Sequence, residues 1–158
     1  MNEERINQMS PLTWAYVGDS VFELYVREHL TESIHAKPNR LHREAIKYVK
    51  AKAQAEILNR IHDSLTDEEQ EIVRRTRNTE NHHLPKNAEL KDYMYATAFE
   101  GLIGYLYLTA QEERLKEILD KCINGPLVKR LRRHPLKVEA WVRFPYGSPH
   151  KLCKPIRR

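Results

Sequence analysis

Between Tyr93 and Ala110 the chain reads YMYATAFEGLIGYLYLTA, a run of 18 residues whose single charged side chain is Glu100. A second apolar stretch, from Leu12 to Phe22, reads LTWAYVGDSVF and also holds one charge, Asp19. Apolar side chains recur along both stretches at helical spacing, which predicts two mostly buried helices. The longer run includes glycines, threonines and tyrosines, so we interpret it as a core helix rather than a membrane span.

The remaining sequence predicts more helices, and hence an all-α fold class. Gly is scarce, at 5 residues, and β-branched residues rarely alternate with polar ones. Thr66 and Glu69 have the spacing of a capping box, which predicts the start of a short helix. In chain order we predict helices over Pro11 to about Leu30, Leu41 to Ile61, Thr66 to Arg77, Ala88 to Thr109 and Gln111 to Ile123, with a break at Lys37-Pro38-Asn39 and a polar loop over Asn78 to Asn87.

Charge and composition divide the chain into a domain and a tail. Residues 125–158 hold ten Lys or Arg, one acid and several prolines, whereas residues 1–124 carry more acids than bases. We therefore assign residues 1–124 to one folded domain and residues 125–158 to a basic, Pro-rich tail that we expect to be disordered. The net charge of +5 arises from this tail, so it is no evidence that the domain itself binds nucleic acid.

The cysteines and the N-terminal residues bear on the compartment. Cys122 and Cys153 are the two cysteines of the chain, and neither belongs to a Cys-x-x-Cys pair. The first twelve residues contain no apolar stretch typical of a signal peptide. Both observations favour a reducing, cytoplasmic setting.

Asp19 and Glu100 are the candidate functional residues, because each is an isolated acid in an apolar helix. A buried carboxylate is costly unless it has a partner, a proton or a metal ion. Gly18, Gly101 and Gly104 would let the two helix backbones approach closely and bring the acids together. Two carboxylates that converge from two helices make a hard oxygen site suited to Mg²⁺. The alternative is that each acid caps a helix or forms a salt bridge.

Several motifs resemble the ribonuclease III family, and in particular mini-ribonuclease III, the branch with the catalytic domain only. Two of them contain the acids: residues 15–21, AYVGDSV, and residues 97–108, TAFEGLIGYLYL. Three shorter ones lie between them in the family's order: residues 37–42, KPNRLH, then 51–55, AKAQA, and 75–78, RTRN, where the family usually has RGRN. The resemblance covers about residues 9–123.

The resemblance implies a ribonuclease III catalytic-domain fold that works as a homodimer. It implies Mg²⁺-dependent hydrolysis of double-stranded RNA that leaves 5′-phosphate ends, and a role in maturation of a large (23S) ribosomal RNA precursor. The separate RNA-binding domain of longer family members has no counterpart here. Because the first helix is apolar around most of its circumference, we expect Val21, Phe22 and Tyr25 to face the partner protomer.

The resemblance also implies that Asp19 and Glu100 are catalytic and bind the Mg²⁺. Full-length ribonuclease III has two further acids, which Ala15 and Thr97 replace in this sequence. Water, substrate phosphate or other residues must then complete the metal site. Glu23, four residues after Asp19 on the same helical face, is a candidate to support it, with a plain salt bridge as the alternative.

Five residues are candidates for RNA binding. Arg74, Arg75 and Arg77 end the short helix, and Asn78 and Lys86 belong to the loop that follows. Arginine at a helix C-terminus stabilises the helix dipole, but three arginines in four residues exceed that need. We predict that this segment contacts phosphates of duplex RNA, which proteins recognise mainly by its shape.

Two other functions compete with this interpretation. Glu32-x-x-His35 and Glu80-x-x-His83 have the spacing of ligands in di-iron helical bundles. The first pair lies at a predicted helix end and the second in a predicted loop, which disfavours a di-metal oxidase. The stronger alternative is a non-catalytic RNA-binding or ribosome-associated module, because two of the family's acids are missing.

Overall fold

The computed structural model describes residues 2–79 and 90–123, and in these residues it is all-helical, as the sequence predicts. The helices are α1 (Glu3–Asn7), α2 (Pro11–Ser33), α3 (Pro38–Val49), α4 (Ala51–Ile61), α5 (Asp67–Arg77), α6 (Leu90–Leu108) and α7 (Glu112–Ile123), and a 3₁₀ turn covers His62–Ser64. The predicted tail, residues 125–158, lies outside the described residues.

α2 and α6 form the centre of the fold and run antiparallel where they touch. A Cβ placed on Gly18 of α2 would lie 1.8 Å from the carbonyl oxygen of Glu100. One turn further along, a Cβ on Gly104 of α6 would lie 1.8 Å from the carbonyl oxygen of Trp14. The backbones therefore touch at two successive turns, at a distance that only glycine permits. This confirms the predicted role of these two glycines.

Apolar side chains extend this contact in both directions. The rings of Phe22 and Phe99 meet edge to face, with centroids 4.9 Å apart, inside the main core. At the other end, Trp14 and Tyr105 meet at 5.2 Å in a smaller cluster. Burial of four aromatic rings along one helix pair gives α2 and α6 a fixed register.

The short helix α1 was not predicted from the sequence, and it is held by side-chain hydrogen bonds. Trp14 Nε1 donates to the carbonyl oxygen of Ile6 at 3.0 Å, and the Tyr105 hydroxyl donates to Asn7 Oδ1 at 3.1 Å. Ile6 is fully buried in the smaller cluster. Five residues are too few to form a stable helix alone, so these tertiary contacts account for α1.

The helix predicted from Leu41 to Ile61 is in fact two helices, and this prediction was wrong. The first begins earlier, at Pro38, and the chain bends at Lys50, whose φ and ψ of −69° and 145° are extended. α3 packs against α2, whereas α4 packs against α6. The bend redirects the chain from one partner helix to the other, a tertiary effect that local periodicity does not encode.

None of the helices within the described ranges is long and apolar enough to cross a membrane.

Candidate active site

The contact between α2 and α6 brings Asp19 and Glu100 together. Gly18 packs on the backbone of Glu100, which places the next residue, Asp19, close enough to Glu100 for the two carboxyl charges to interact. The negative charge of Asp19 acts on the Glu100 carboxyl strongly enough to raise its pKa. The two acids singled out in the sequence thus form one cluster, which we call the acid pair.

The two members of the acid pair differ in environment. Glu100 is half-buried, and burial, together with the Asp19 charge, raises its pKa to about 7. Asp19 is exposed on the surface of α2, which corrects the expectation that both acids are buried. Protein near the Asp19 carboxyl still removes enough water to raise its pKa, and the charge of Glu23 adds to the rise. Two carboxylates that resist ionisation side by side favour a bound cation.

The rest of the described residues add no third carboxylate or histidine to this cluster. Residues 2–79 and 90–123 contain no group of three or more His, Cys, Asp or Glu able to hold a metal ion. Glu32 and His35 are therefore not part of such a group in these residues. Glu23 forms a salt bridge with Arg27 at 2.5 Å, the simpler of its two predicted roles. Ala15 and Thr97, which replace acids of longer relatives, are both buried. A cation here would therefore draw further ligands from water or from phosphate.

Gln54 is a site residue to which sequence reasoning gave no role. It lies in the first turn of α4, is 1% exposed, and contacts the Glu100 carboxyl, where it lowers the pKa that burial and Asp19 raise. Its Nε2 makes no hydrogen bond of good geometry to any described residue. A glutamine in an otherwise apolar stripe was the signal that could have identified it, since buried amides need partners.

The arginines predicted to bind RNA each have a partner within the protein. Arg74 forms a two-point ion pair with Glu71, with both distances 2.7 Å. The Arg75 guanidinium lies 5.0 Å from the centre of the Trp14 ring, and that of Arg77 lies 5.7 Å from the Tyr95 ring. Those rings lie toward opposite ends of α6, so the structure does not gather the three arginines at one point.

The remaining two residues of that segment are only partly described. Asn78 ends α5 and is exposed, and its side-chain oxygen accepts a hydrogen bond from Arg77 Nε at 3.3 Å. Lys86, and with it most of the predicted loop, lies outside the described residues.

A basic strip precedes Gln54 in the chain, and sequence reasoning did not assign it a function. It consists of exposed basic side chains on α3 and at the start of α4: Lys37, Arg40, Arg43, Lys47, Lys50 and Lys52. The acid within it, Glu44, pairs with Lys47 at 2.7 Å. Counting charges over residues 37–52 would have identified this surface, because six bases against one acid is a strong local excess.

The side chains predicted to face a partner protomer pack against the core of the same chain, completely for Phe22 and in part for Val21 and Tyr25. Phe22 is fully buried, Val21 packs against the main core, and the Tyr25 hydroxyl donates to Asp120 of α7 at 2.6 Å. The core of this protein therefore uses that face of α2. The exposed apolar residues of the helix are Tyr16, at 79%, and Leu24, at 59%.

Known proteins resemble this chain in sequence and in fold. The family described as the ribonuclease III domain matches residues 12–111. The mini-ribonuclease 3 of Thermoanaerobacter sp. (strain X514) is 48% identical over 120 residues, which cover 76% of this chain and 84% of the relative. The mini-ribonuclease 3 of Symbiobacterium thermophilum is 50% identical over 111 residues, with coverages of 70% and 85%.

A solved structure agrees with these sequence relatives. The crystal structure of a Fusobacterium nucleatum protein matches with a TM-score of 0.68 and 31% identity, over 76% of this chain and 96% of that one. Together these similarities confirm the resemblance and the fold class that the sequence motifs predict.

Proposed function

The chain belongs to the ribonuclease III family of endoribonucleases, and from that premise we propose that it cleaves double-stranded RNA with Mg²⁺ at the acid pair. The observation that carries the proposal is the convergence of Asp19 and Glu100 across a contact between two glycine-bearing helices. Residues 1–124 would form the catalytic domain, and residues 125–158 a tail that is not needed for cleavage.

The residues present fit a divalent cation. Both side chains of the acid pair offer hard carboxylate oxygens, and each has a raised pKa because burial and then a neighbouring carboxylate disfavour its ionised form. When bound, Mg²⁺ would supply the Lewis-acid charge that phosphodiester hydrolysis requires. Asp19 and Glu100 would hold the ion and, through it, orient the scissile phosphate. The expected products carry a 5′-phosphate and a 3′-hydroxyl.

Basic side chains on two surfaces would bind the RNA backbone. The basic strip leads along the chain toward Gln54 and the acid pair, and its exposed lysines and arginines suit phosphate contacts across a duplex. Arg74, Arg75, Arg77, Asn78 and Lys86 remain proposed contacts. The exposed Arg74–Glu71 pair costs little to open, so Arg74 is the arginine most easily released to a phosphate.

We further propose a homodimer that matures a large ribosomal RNA precursor in the cytoplasm. Tyr16 and Leu24 support the dimer, because large apolar side chains exposed on α2 would be covered by a second copy of that helix. The ribosomal RNA substrate is what the family resemblance of the sequence motifs implies, and the compartment is what the cysteines and the N-terminal residues favour. Light scattering of the full chain at micromolar concentration tests the dimer, and Leu24→Arg should shift it toward the monomer.

A cleavage assay tests the catalytic proposal. With duplex RNA and Mg²⁺, Asp19→Asn and Glu100→Gln should each lower the rate by at least a hundredfold while the fold and most RNA binding remain. Glu23→Gln is the matched control and should retain most activity. Cleavage by either acid variant at a near wild-type rate would refute the assignment, and an inactive wild type that binds duplex RNA would favour the non-catalytic module instead.

A further inference from the structure

Gln54 has the burial of a core residue but the chemistry of a polar one. Its side chain is 1% exposed, at a position in α4 whose neighbours in the core include Ile57 and Leu58. Burying an amide costs free energy unless its N–H and C=O groups find partners. The Nε2 atom lacks such a partner of good geometry among the described residues. A Met or Leu would fill the same space without that cost, so packing alone does not account for a glutamine here.

The group that Gln54 faces is the half-buried member of the acid pair. Its amide contacts the Glu100 carboxyl and favours the ionised form of that acid. Burial and the charge of Asp19 both act in the opposite direction, and no Lys or Arg of the described residues contributes to compensating Glu100. Among the described residues, Gln54 is thus a buried amide that lies beside the acid pair.

We infer that Gln54 is a positioning residue of the metal site. When a cation holds Glu100 in its ionised form, the Nε2 of Gln54, which has no partner of good geometry among the described residues, would donate to one carboxylate oxygen of Glu100 and fix its orientation. The other oxygen remains free to share a divalent cation with Asp19. This inference rests on the proposed function. It explains how a site to which the described residues contribute two acids keeps one of them ordered, since groups that orient metal ligands control metal affinity.

The test compares Gln54→Met with wild type in the full-length protein. Methionine keeps the length and volume of the side chain but has no donor. Calorimetric titration with Mn²⁺ alone, without RNA, should show affinity weakened about tenfold, the lower end of the effect of losing such an orienting group. In EDTA at a pH well below 7, where Glu100 is protonated, the melting temperature should stay equal or rise, because a buried amide without a partner of good geometry is replaced by an apolar group. A merely structural role predicts the reverse pattern.

Cleavage kinetics give a second readout. The Mg²⁺ concentration for half-maximal cleavage should rise about tenfold, while KM for duplex RNA at saturating Mg²⁺ stays the same and high Mg²⁺ restores most of the rate. Gln70→Met is the matched control, because Gln70 is a half-buried glutamine whose Nε2 donates to the carbonyl of Leu65 at 3.2 Å, away from the acids. It should leave the Mn²⁺ affinity unchanged.

Each outcome decides the inference. If wild type binds Mn²⁺ and cleaves RNA and Gln54→Met binds Mn²⁺ equally well, the positioning role is wrong and the proposed function stands. If wild type neither binds Mn²⁺ nor cleaves, both are wrong. Should Gln54→Met not fold, Gln54→Asn keeps a polar side chain but shortens its reach by one methylene, and unchanged Mn²⁺ affinity in that variant would equally overturn the role.

Discussion

The contact between α2 and α6 and the contact between α5 and α7 stabilise the same small domain by opposite means. At the first, Gly18 and Gly104 have no side chains, and backbone meets backbone. At the second, Glu69 of α5 and Arg114 of α7 form a two-point ion pair, with N to O distances of 2.7 and 2.8 Å. The close backbone approach positions the acid pair, whereas the ion pair joins two helices that carry no proposed catalytic residue.

The two contacts therefore tolerate substitution differently. A side chain can shift, shorten or be replaced by an apolar one, but a backbone carbonyl in the centre of a helix pair cannot move without moving the helix. We expect the glycine contact to be nearly intolerant of substitution and the ion pair to be replaceable in part. Substitutions at the two contacts and next to them test this contrast.

Gly104→Ala should have the largest effect. The added Cβ would lie 1.8 Å from the Trp14 carbonyl oxygen, so α2 and α6 must separate. Loss of that packing should cost more than about 4 kcal/mol, beyond the range of ordinary substitutions, and abolish cleavage. Circular dichroism with urea unfolding would measure it. If the Gly104→Ala protein folds and its free energy of unfolding is within about 1 kcal/mol of the wild-type value, the helices are not in close contact.

Gly101→Ala provides a control on the same helix. Its Cβ would meet the side chain of Thr76, at 2.5 Å, rather than backbone. The family's usual Gly at position 76 would remove this clash, so Gly101→Ala should be destabilising alone and largely rescued by Thr76→Gly. A double-mutant cycle should give a coupling of about 1 to 2 kcal/mol. Additive effects of the two substitutions would contradict it.

Arg114→Met should have an intermediate effect. It leaves the Glu69 carboxylate, whose side chain is 8% exposed, without its cation. We expect a loss of about 2 to 3 kcal/mol, somewhat below the value for a fully buried pair because the Arg114 side chain is 23% exposed. Lys121→Met, which breaks the exposed pair with Glu117, is the control and should cost less than about 0.5 kcal/mol. Equal losses in the two variants would be inconsistent with this prediction.

The pH dependence of stability gives the same variant a second test. Burial opposes ionisation of Glu69, but hydrogen bonds from Arg114 and Thr66 outweigh it, and the pKa of Glu69 is lowered. The ionised pair therefore stabilises the fold above the unfolded-state pKa of Glu69, and this stabilisation is lost as pH falls through the lower folded-state pKa. When the pH is reduced below about 5, the free energy of unfolding should fall less for Arg114→Met than for wild type.

Glu100→Gln should stabilise the metal-free protein at high pH. Burial and Asp19 raise the pKa of Glu100 to about 7 in the folded protein. Wild type therefore loses stability as the pH rises from the unfolded-state pKa of Glu100 to about 7, and at higher pH this loss stays constant. In EDTA at pH 8, the variant should be more stable by about 2 kcal/mol, a figure reduced for the partial access of water, and at pH 4 equal to wild type. Thermal melts at the two pH values measure this, and a stability difference independent of pH would refute it.

Ala110→Gly should have the smallest effect and the opposite sign to the core variants. Ala110 joins α6 to α7 with a φ of 58°, and the amide of Gln111 donates back to Leu106 at 3.0 Å, as in a helix end that favours glycine. Glycine there should raise stability by about 0.5 to 1 kcal/mol. Ala45→Gly, inside α3, should lower it, and a loss of stability at position 110 would contradict the left-handed conformation.

Local patterns predicted the larger part of the fold. The apolar period predicted α2, α6 and α7, and the capping box at Thr66 and Glu69 is present with both hydrogen bonds. The isolated charges identified Asp19 and Glu100, and Gly18 and Gly104 predicted the close approach. Gly101, predicted to share that role, packs on Thr76 of α5 instead. These features lie within a few turns of sequence, where periodicity and spacing carry the information.

Tertiary features could not be predicted in the same way. The bend at Lys50 depends on which partner helix each half meets, and α1 exists through contacts with Trp14 and Tyr105. The role of Gln54 appears only when α4 lies beside Glu100. The exposure of Asp19 was misjudged because an apolar sequence neighbourhood does not reveal which face of a helix remains uncovered.

The glycine contact also sets the order of events during synthesis. Gly18 and Gly104 are separated by roughly 85 residues, and a ribosome adding about 5 to 20 residues per second needs on the order of 4 to 17 s to make that segment. Until α6 emerges, the face of α2 that packs on α6 is uncovered, and Asp19 is without Glu100. A nascent or truncated chain that ends before α6 thus carries half of the acid pair. On the proposed function, such a chain would be unable to cut the RNA of the ribosome that is making it.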